Sequence, residues 1–121
     1  MSKALWVVER PNTAKDLAWL TLQQEFGEAR YVCATIAGVP GNLDTVATLI
    51  AGSMQTFDPR HDAVLYAGPV PLALLLVLQA VRQAQQHQAP FVRVLMWSPK
   101  YEQARLIHLP TLESSHAAEE D

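Results

Sequence analysis

The chain lacks the residues on which disulfide-stabilised and zinc-binding domains depend. Cys33 is the only cysteine, and it lies in an apolar segment. One cysteine provides neither a disulfide framework nor a thiolate cluster with metal spacing. The four histidines are scattered, without an HExxH motif or paired ligand spacing. We therefore expect no metal site, no cofactor and a cytoplasmic location.

The chain also lacks a long hydrophobic run and a positive net charge. Its most apolar stretch, 70–81, has the length of a core helix rather than of a membrane span. The N-terminal apolar run is too short for the core of a signal peptide. The formal net charge is −3 and the pI is near 5.7, which disfavours binding along a long nucleic-acid duplex. We expect neither a membrane nor long duplex nucleic acid as a partner.

The residues that are present favour one buried core. Half of the 121 residues are hydrophobic and 17% are charged, and this length is typical of a single domain. We predict one α/β domain over residues 1–110. Residues 111–121 have no apolar period and end in acidic residues, which predicts a disordered, solvated tail.

The first of three strand–helix units begins at the N-terminus. The run 4–8, ALWVV, predicts a strand buried on both faces. Asn12 or Thr13 is predicted to cap the next helix, with Thr13–Asp16 as a variant capping box, and Gly27 to end it. The apolar side of that helix is predicted to contain Leu17, Ala18, Leu20, Leu22 and Phe26.

The second and third units repeat this order. A strand over 30–38 precedes a helix capped by Asn42 with Asp44 in its first turn, and a strand over 63–67 precedes a helix over 72–88. The apolar positions of the second helix are Val46, Leu49, Ile50 and Phe57. The third helix is apolar nearly all round in its first half, so we expect the sheet and another helix or a second subunit to cover it.

The last two predicted strands, 91–97 and 104–109, form a hairpin. The fold class is therefore α/β, a small open, mostly parallel sheet of three strand–helix units with a C-terminal antiparallel hairpin. Ligands bind such sheets at the carboxyl ends of the parallel strands. The residues at these corners are Glu9, Arg10, Asn12, Thr13, Thr35, Gly38, Gly41, Asn42, Tyr66, Gly68 and Pro69.

Backbone N–H groups at the helix starts favour phosphate, and Arg10 and Lys15 add positive charge. The alternative is that the corner residues are ordinary caps and turn formers, which every α/β domain needs. The corner sequence AGVPGN is neither a GxGxxG nor a Walker A motif. Ser53 and Ser98 stand outside a GxSxG motif, so catalytic residues stay unknown.

Single aromatic and histidine residues have structural interpretations. Trp6 and Trp97 are predicted to be packing anchors rather than base-stacking platforms. Trp19 is predicted to lie at an interface. His108 alternates with apolar residues in the last strand, which indicates a solvent-facing side chain rather than a general base.

The segment 4–20, ALWVVERPNTAKDLAWL, resembles the first motif of the Toprim fold of topoisomerases and primases. The resemblance implies that Glu9 is a catalytic acid. That family also needs a D-x-D motif for magnesium, whereas the corresponding strand end here reads LYAGPVP. A two-metal mechanism has no carboxylates to support it at this position.

The organisation of residues 1–110, with the GPVP corner and the VRVLMW strand, is similar to that of small Rossmann-like CRISPR-associated and phage proteins that bind cyclic oligoadenylate. The resemblance implies a homodimer in antiviral defence that binds a small cyclic oligonucleotide across a twofold axis. It also implies a possible metal-independent phosphodiesterase of the ring-nuclease type. The ligand-binding residues would be Glu9, Arg10, Asn12, Thr13, Gly38, Asn42, Gly68 and Pro69.

Three functions stay open at this point. The first is the dimeric nucleotide binder, whose phosphate-dependent binding Arg10→Ala should abolish. The second is a phage or plasmid accessory protein that regulates a host protein through the third helix. The third is a small-molecule enzyme whose active-site residues are dispersed along the sequence.

Overall fold

The computed structural model describes residues 3–32 and 43–111. Five strands and three helices alternate along this part of the chain. They are β1 (Ala4–Val7), α1 (Asp16–Phe26), β2 (Glu28–Tyr31), α2 (Leu43–Ser53), β3 (Ala63–Tyr66), α3 (Val70–Gln86), β4 (Phe91–Ser98) and β5 (Gln103–Pro110).

The strands form one sheet in the order β2-β1-β3-β4-β5. The first four run parallel, and β5 pairs antiparallel with β4. The predicted open, mostly parallel sheet with a C-terminal antiparallel hairpin is confirmed. The strand order reverses between β1 and β3, since β2 lies on one side of β1 and all later strands lie on the other. This arrangement is a doubly wound, Rossmann-like sheet with its switch point between β1 and β3.

Helices cover both faces of the sheet. On one face, α2 and α3 pack against side chains that include Trp6 and Val64. On the other, α1 places Trp19 against Leu5 and Leu65. Successive residues of a strand point to opposite faces, so β1 and β3 are buried on both sides and need apolar residues throughout. This explains the continuous apolar runs in the sequence of both strands.

The predicted cap of α1 is wrong. Lys15, not Asn12 or Thr13, occupies the N-cap position, and no side chain caps the helix. The chain first makes a turn in which the Ala14 N–H donates to the Pro11 carbonyl at 3.0 Å. The Thr13 hydroxyl accepts a hydrogen bond from Trp97 instead. A tertiary contact therefore takes the side chain that the capping box would have used.

The predicted apolar side of α1 is partly wrong. Trp19 is buried and packs with Leu22 and Phe26, whereas Leu17 is 77% exposed and Leu20 is 53% exposed. Residues 19, 22 and 26 share a stripe at helical spacing, and this stripe faces the sheet. The interfacial position predicted for Trp19 is wrong for the same reason.

The second strand lies earlier in the chain than predicted. Its pairing with β1 covers only Glu28–Tyr31, and of the predicted range 30–38 the part from Cys33 onward lies outside the described residues. Gly27 ends α1 and begins the strand without a loop, because its backbone adopts a φ of +116°. In addition, the Ala29 N–H donates to the Gln23 side chain at 2.9 Å.

The remaining elements largely follow the sequence pattern. In α2, Val46 and Ile50 are buried while Leu49 is half exposed. Phe57 lies beyond the end of α2 and is buried, with its ring edge-on to Trp6. α3 begins two residues before its predicted start because the first turn of a helix accepts Pro71.

The C-terminal end of the described chain is held to the domain. Thr111, which the sequence assigns to the tail, is buried, and its hydroxyl donates to the Ala89 carbonyl. Its own carbonyl accepts a hydrogen bond from Gln85 at 2.9 Å. Residues 112–121 lie outside the described residues. Among the described helices, none has the length and apolar character needed to cross a membrane.

Candidate functional site

A cavity of about 550 Å³ opens at the switch point of the sheet. It lies at the carboxyl ends of β1, β3 and β4, the edge at which open α/β sheets bind ligands. Its described lining residues are Glu9, Pro11, Asn12, Thr13, Tyr66, Ala67, Gly68, Pro69, Trp97 and Pro99. We call this space the switch-point cavity.

The structure brings together five of the eight residues predicted to bind a ligand. Glu9, Asn12, Thr13, Gly68 and Pro69 all line the switch-point cavity. The corner residue Tyr66 lines it as well. The predicted residues Gly38 and Asn42, together with the corner residues Thr35 and Gly41, lie outside the described part of the chain.

Arg10, the eighth predicted residue, does not line the cavity. Its guanidinium donates to the Ala14 carbonyl through Nε at 3.1 Å and through Nη2 at 2.6 Å. Nη2 also lies 2.8 Å from the Asp16 carboxylate, and the guanidinium lies over the Trp19 ring. Arg10 thus supports the turn before α1. The substitution Arg10→Ala would report on this support and not on a direct ligand contact.

Trp97 is a cavity residue for which the sequence favours packing over base stacking. It packs partly against the α1 side of the core and also lines the cavity. Its indole Nε1 donates to the Thr13 hydroxyl at 2.7 Å. A sequence signal existed: a strand parallel to β3 must end at the same edge, and Trp97 stands at the end of β4. The sequence pattern shows β4 as half of a hairpin and does not show that it also pairs with β3.

Gly68 leaves room for the Glu9 side chain. The backbone of Gly68 has a φ of +91°, and a Cβ built there would stand 2.8 Å from Glu9 Cγ. Any side chain at position 68 would collide with Glu9 in addition to straining the backbone. Glycine therefore allows the Glu9 side chain to lie across the β3–α3 corner, beside the start of α3.

The polar groups of the cavity divide into acceptors and donors. Glu9 is the only charged side chain among the described lining residues, and no hydrogen bond or ion pair joins it to another described residue. Because the Thr13 oxygen accepts from Trp97, the Thr13 O–H is left to donate. At the start of α3, just outside the described lining, the Ala73 N–H makes the first helical bond, to Pro69, so the N–H groups of Val70 and Leu72 precede the helical ladder.

A second, smaller depression lies near the turn that follows α2. It has a volume of about 220 Å³ and includes Asp58, Arg60 and His87. His61 Nδ1 lies 2.7 Å from Asp58 Oδ2, and this hydrogen bond lowers the pKa of the Asp58 carboxyl. The Asp58 carboxylate also accepts from the Arg60 N–H, so its acceptor positions serve the turn itself.

Other candidate groups stay apart from the switch-point cavity. His108 is exposed, as predicted, and its ring stacks on Phe91 at 4.4 Å. Within residues 3–32 and 43–111, no three histidine, cysteine or acidic side chains come together in a way that could hold a metal ion.

Comparison of the chain with models of protein families, with curated proteins and with solved structures found no match. The fold and the cavity define the class of the protein as a doubly wound α/β domain with a concave site at its switch point.

Proposed function

We propose that the protein binds a small nucleotide in the switch-point cavity, and that its ligand is a cyclic oligoadenylate of the kind used in CRISPR and antiphage signalling. The observation that carries this proposal is the cavity itself. A volume of about 550 Å³ falls in the range of small-molecule sites. It lies where three strand ends meet, at the position that doubly wound sheets use for nucleotides.

The lining chemistry supports a nucleoside. Tyr66 and Trp97 provide aromatic surface for a base, and Asn12 provides an amide that can both donate and accept. Asn12, Tyr66 and Trp97 reach the cavity from the ends of three different strands, which is the arrangement that orients a ligand.

A thermal-shift screen tests the proposal. We expect a cyclic oligoadenylate to raise the melting temperature of the wild type saturably, because a ligand that binds only the folded state stabilises it. Asn12→Ala should weaken this shift, since it removes a lining amide. Gln24→Ala, an exposed amide on α1, is the matched control and should leave the shift unchanged. The absence of a saturable shift with any mononucleotide, dinucleotide or cyclic oligonucleotide would rule the proposal out.

Cleavage is a separate part of the proposal. The ligand's 2′-hydroxyl would attack the adjacent phosphorus, the bond to the 5′-oxygen would break, and the proton would pass from the 2′-oxygen to the 5′-oxygen. The products are a 2′,3′-cyclic phosphate and a free 5′-hydroxyl. Chromatography of the bound ligand after incubation in a chelator distinguishes this reaction from binding alone.

A cyclic oligonucleotide is larger than one nucleotide, which favours a site shared by two copies. An exposed apolar face begins at Val70, next to Pro69 of the cavity, and continues through Leu74 and Leu78. Beside it, a groove of about 300 Å³ has almost entirely apolar walls between α3 and the β4–β5 hairpin. β5 is also an edge strand, and two such edges pair readily about a twofold axis. We propose a homodimer through this α3–β5 face.

The mass of the protein in solution tests the dimer. We expect the wild type to be dimeric at micromolar concentration and Leu74→Glu to be monomeric, because a buried charge opposes association. Leu17→Glu is the control, since Leu17 is even more exposed but lies on α1. A monomeric wild type would contradict the dimer and would favour the second candidate function, in which the same apolar face binds and regulates a host protein.

A further inference from the structure

We infer that Glu9 selects the ligand. The ligand group that contacts the Glu9 carboxylate donates hydrogen bonds to it, and the phosphate of the ligand lies away from this carboxylate. The donor is a ribose hydroxyl or the amino group of the base. This inference rests on the proposed function and adds the chemical group that the site recognises. The sequence had placed Glu9 only in a general contact set, or as an acid in a metal-dependent reaction.

The first argument is electrostatic. Among the described residues that line the cavity, Glu9 carries the only formal charge, and it is negative. Arg10 and Lys15, which the sequence offered as phosphate ligands, pair with Asp16 and Glu102 instead. Like charges at close range repel, more strongly in a partly enclosed site than in bulk water. A phosphate beside Glu9 would have no described side-chain cation to offset this repulsion.

The second argument concerns hydrogen-bonding capacity. An ionised carboxylate accepts and does not donate. No described residue donates to Glu9, so within residues 3–32 and 43–111 no protein donor occupies its acceptor positions. A ligand group placed there must bring the hydrogen, as a ribose hydroxyl or an amino group does and as an ionised phosphate does not.

The third argument concerns placement. Gly68 has no side chain, and this leaves the space that Glu9 Cγ and Cδ occupy. The carboxylate therefore lies at the β3–α3 corner rather than extending away from the cavity. Hydrogen bonds to a charged acceptor are about twice as strong as neutral ones, so such a group dominates selection among similar ligands.

Titration of nucleosides against Glu9→Gln tests the inference. Binding is followed by tryptophan fluorescence, for which Trp97 is the partly exposed residue lining the cavity. We expect Glu9→Gln to weaken adenosine binding about tenfold to a hundredfold, the loss of a charge-assisted hydrogen bond. The affinity for AMP should fall less than the affinity for adenosine, because the substitution also removes the repulsion between the Glu9 carboxylate and the phosphate of AMP. Glu25→Gln, an exposed acid on α1, is the matched control and should bind as the wild type does.

Two further ligands identify the donor. If the ribose 2′-hydroxyl is the donor, Glu9→Gln should no longer weaken binding when the ligand is 2′-deoxyadenosine. If the amino group of the base is the donor, Glu9→Gln should no longer weaken binding of purine riboside, which lacks that group. Equal binding of adenosine by the wild type and by Glu9→Gln would overturn the inference while leaving the proposed function intact. Failure of the wild type to bind adenosine, AMP and cyclic oligoadenylate alike would overturn both. If unliganded Glu9→Gln has the same melting temperature as the wild type, misfolding is excluded as the cause of weaker binding.

Discussion

Asp62→Ala is expected to lower the free energy of unfolding by about 3–5 kcal/mol, because it leaves buried donors without an acceptor. Asp62 is buried immediately before β3, and its carboxylate accepts three hydrogen bonds. Oδ1 accepts from the Ala4 N–H at 2.9 Å, and Oδ2 accepts from Trp6 Nε1 at 3.0 Å and from the Asp58 N–H at 2.9 Å. The carboxylate thus joins the first residue of β1 to the turn that leads into β3.

Urea unfolding followed by tryptophan fluorescence measures this loss. Asp16→Ala is the matched control: its side chain is 98% exposed and forms one surface ion pair, so we expect a change of no more than about 1 kcal/mol. Asp62→Asn should fall between the two, since its amide keeps one oxygen but turns an N–H₂ group toward a donor. A loss below about 1 kcal/mol for Asp62→Ala would show that water replaces the carboxylate at these donors.

Gly27→Ala is expected to destabilise the protein by more than about 3 kcal/mol, since overpacking and backbone strain add at this position. Gly27 has a φ of +116°, and an added Cβ would collide with the Lys3 carbonyl oxygen and lie 2.7 Å from Ala4 Cα. These are backbone atoms at the beginning of β1, so relief requires moving the strand. Gly27 joins the end of α1 directly to β2, and its conformation fixes the pairing of β2 with β1.

Gly52→Ala is the matched control for this substitution. Gly52 lies within α2, and nothing stands within 4 Å of a Cβ built there. Alanine is the better helix former by about 1 kcal/mol, so this variant should be more stable than the wild type. The two substitutions add the same methyl group and are expected to shift the thermal midpoint in opposite directions. A common direction of change would contradict the steric argument.

The corrections to the sequence predictions share one cause. Thr13 reads as a helix cap, but Trp97 uses its hydroxyl. The sequence predicts that Leu17 lies in the core, but the stripe that contains Trp19 faces the sheet and Leu17 is exposed. In each case two local solutions were available to the chain, and a contact with a residue distant in sequence chose between them. Arg10 is similar, because Ala14 and Asp16 hold the side chain that its position at a strand end offers to a phosphate.

The sequence by itself determined the alternation of strands and helices and the location of the site at the strand ends. Continuous apolar runs such as 4–8 and 63–67 require strands buried on both faces, and such strands require helices on both sides. The carboxyl ends of parallel strands then meet at one edge, so the sequence alone predicts that Glu9, Asn12, Thr13 and Gly68 lie together, as they do around the cavity.

Only the tertiary structure decided which of those residues face the cavity and what charge it presents. The placement of Glu9 depends on a positive φ at Gly68, and the loss of Arg10 from the cavity depends on the turn at Ala14. Strand pairing brings in Trp97, 84 residues from its partner Thr13. Local pattern specifies the elements because hydrophobic periodicity is local. The chemistry of the site depends on long-range contacts, and those exist only once the sheet has formed.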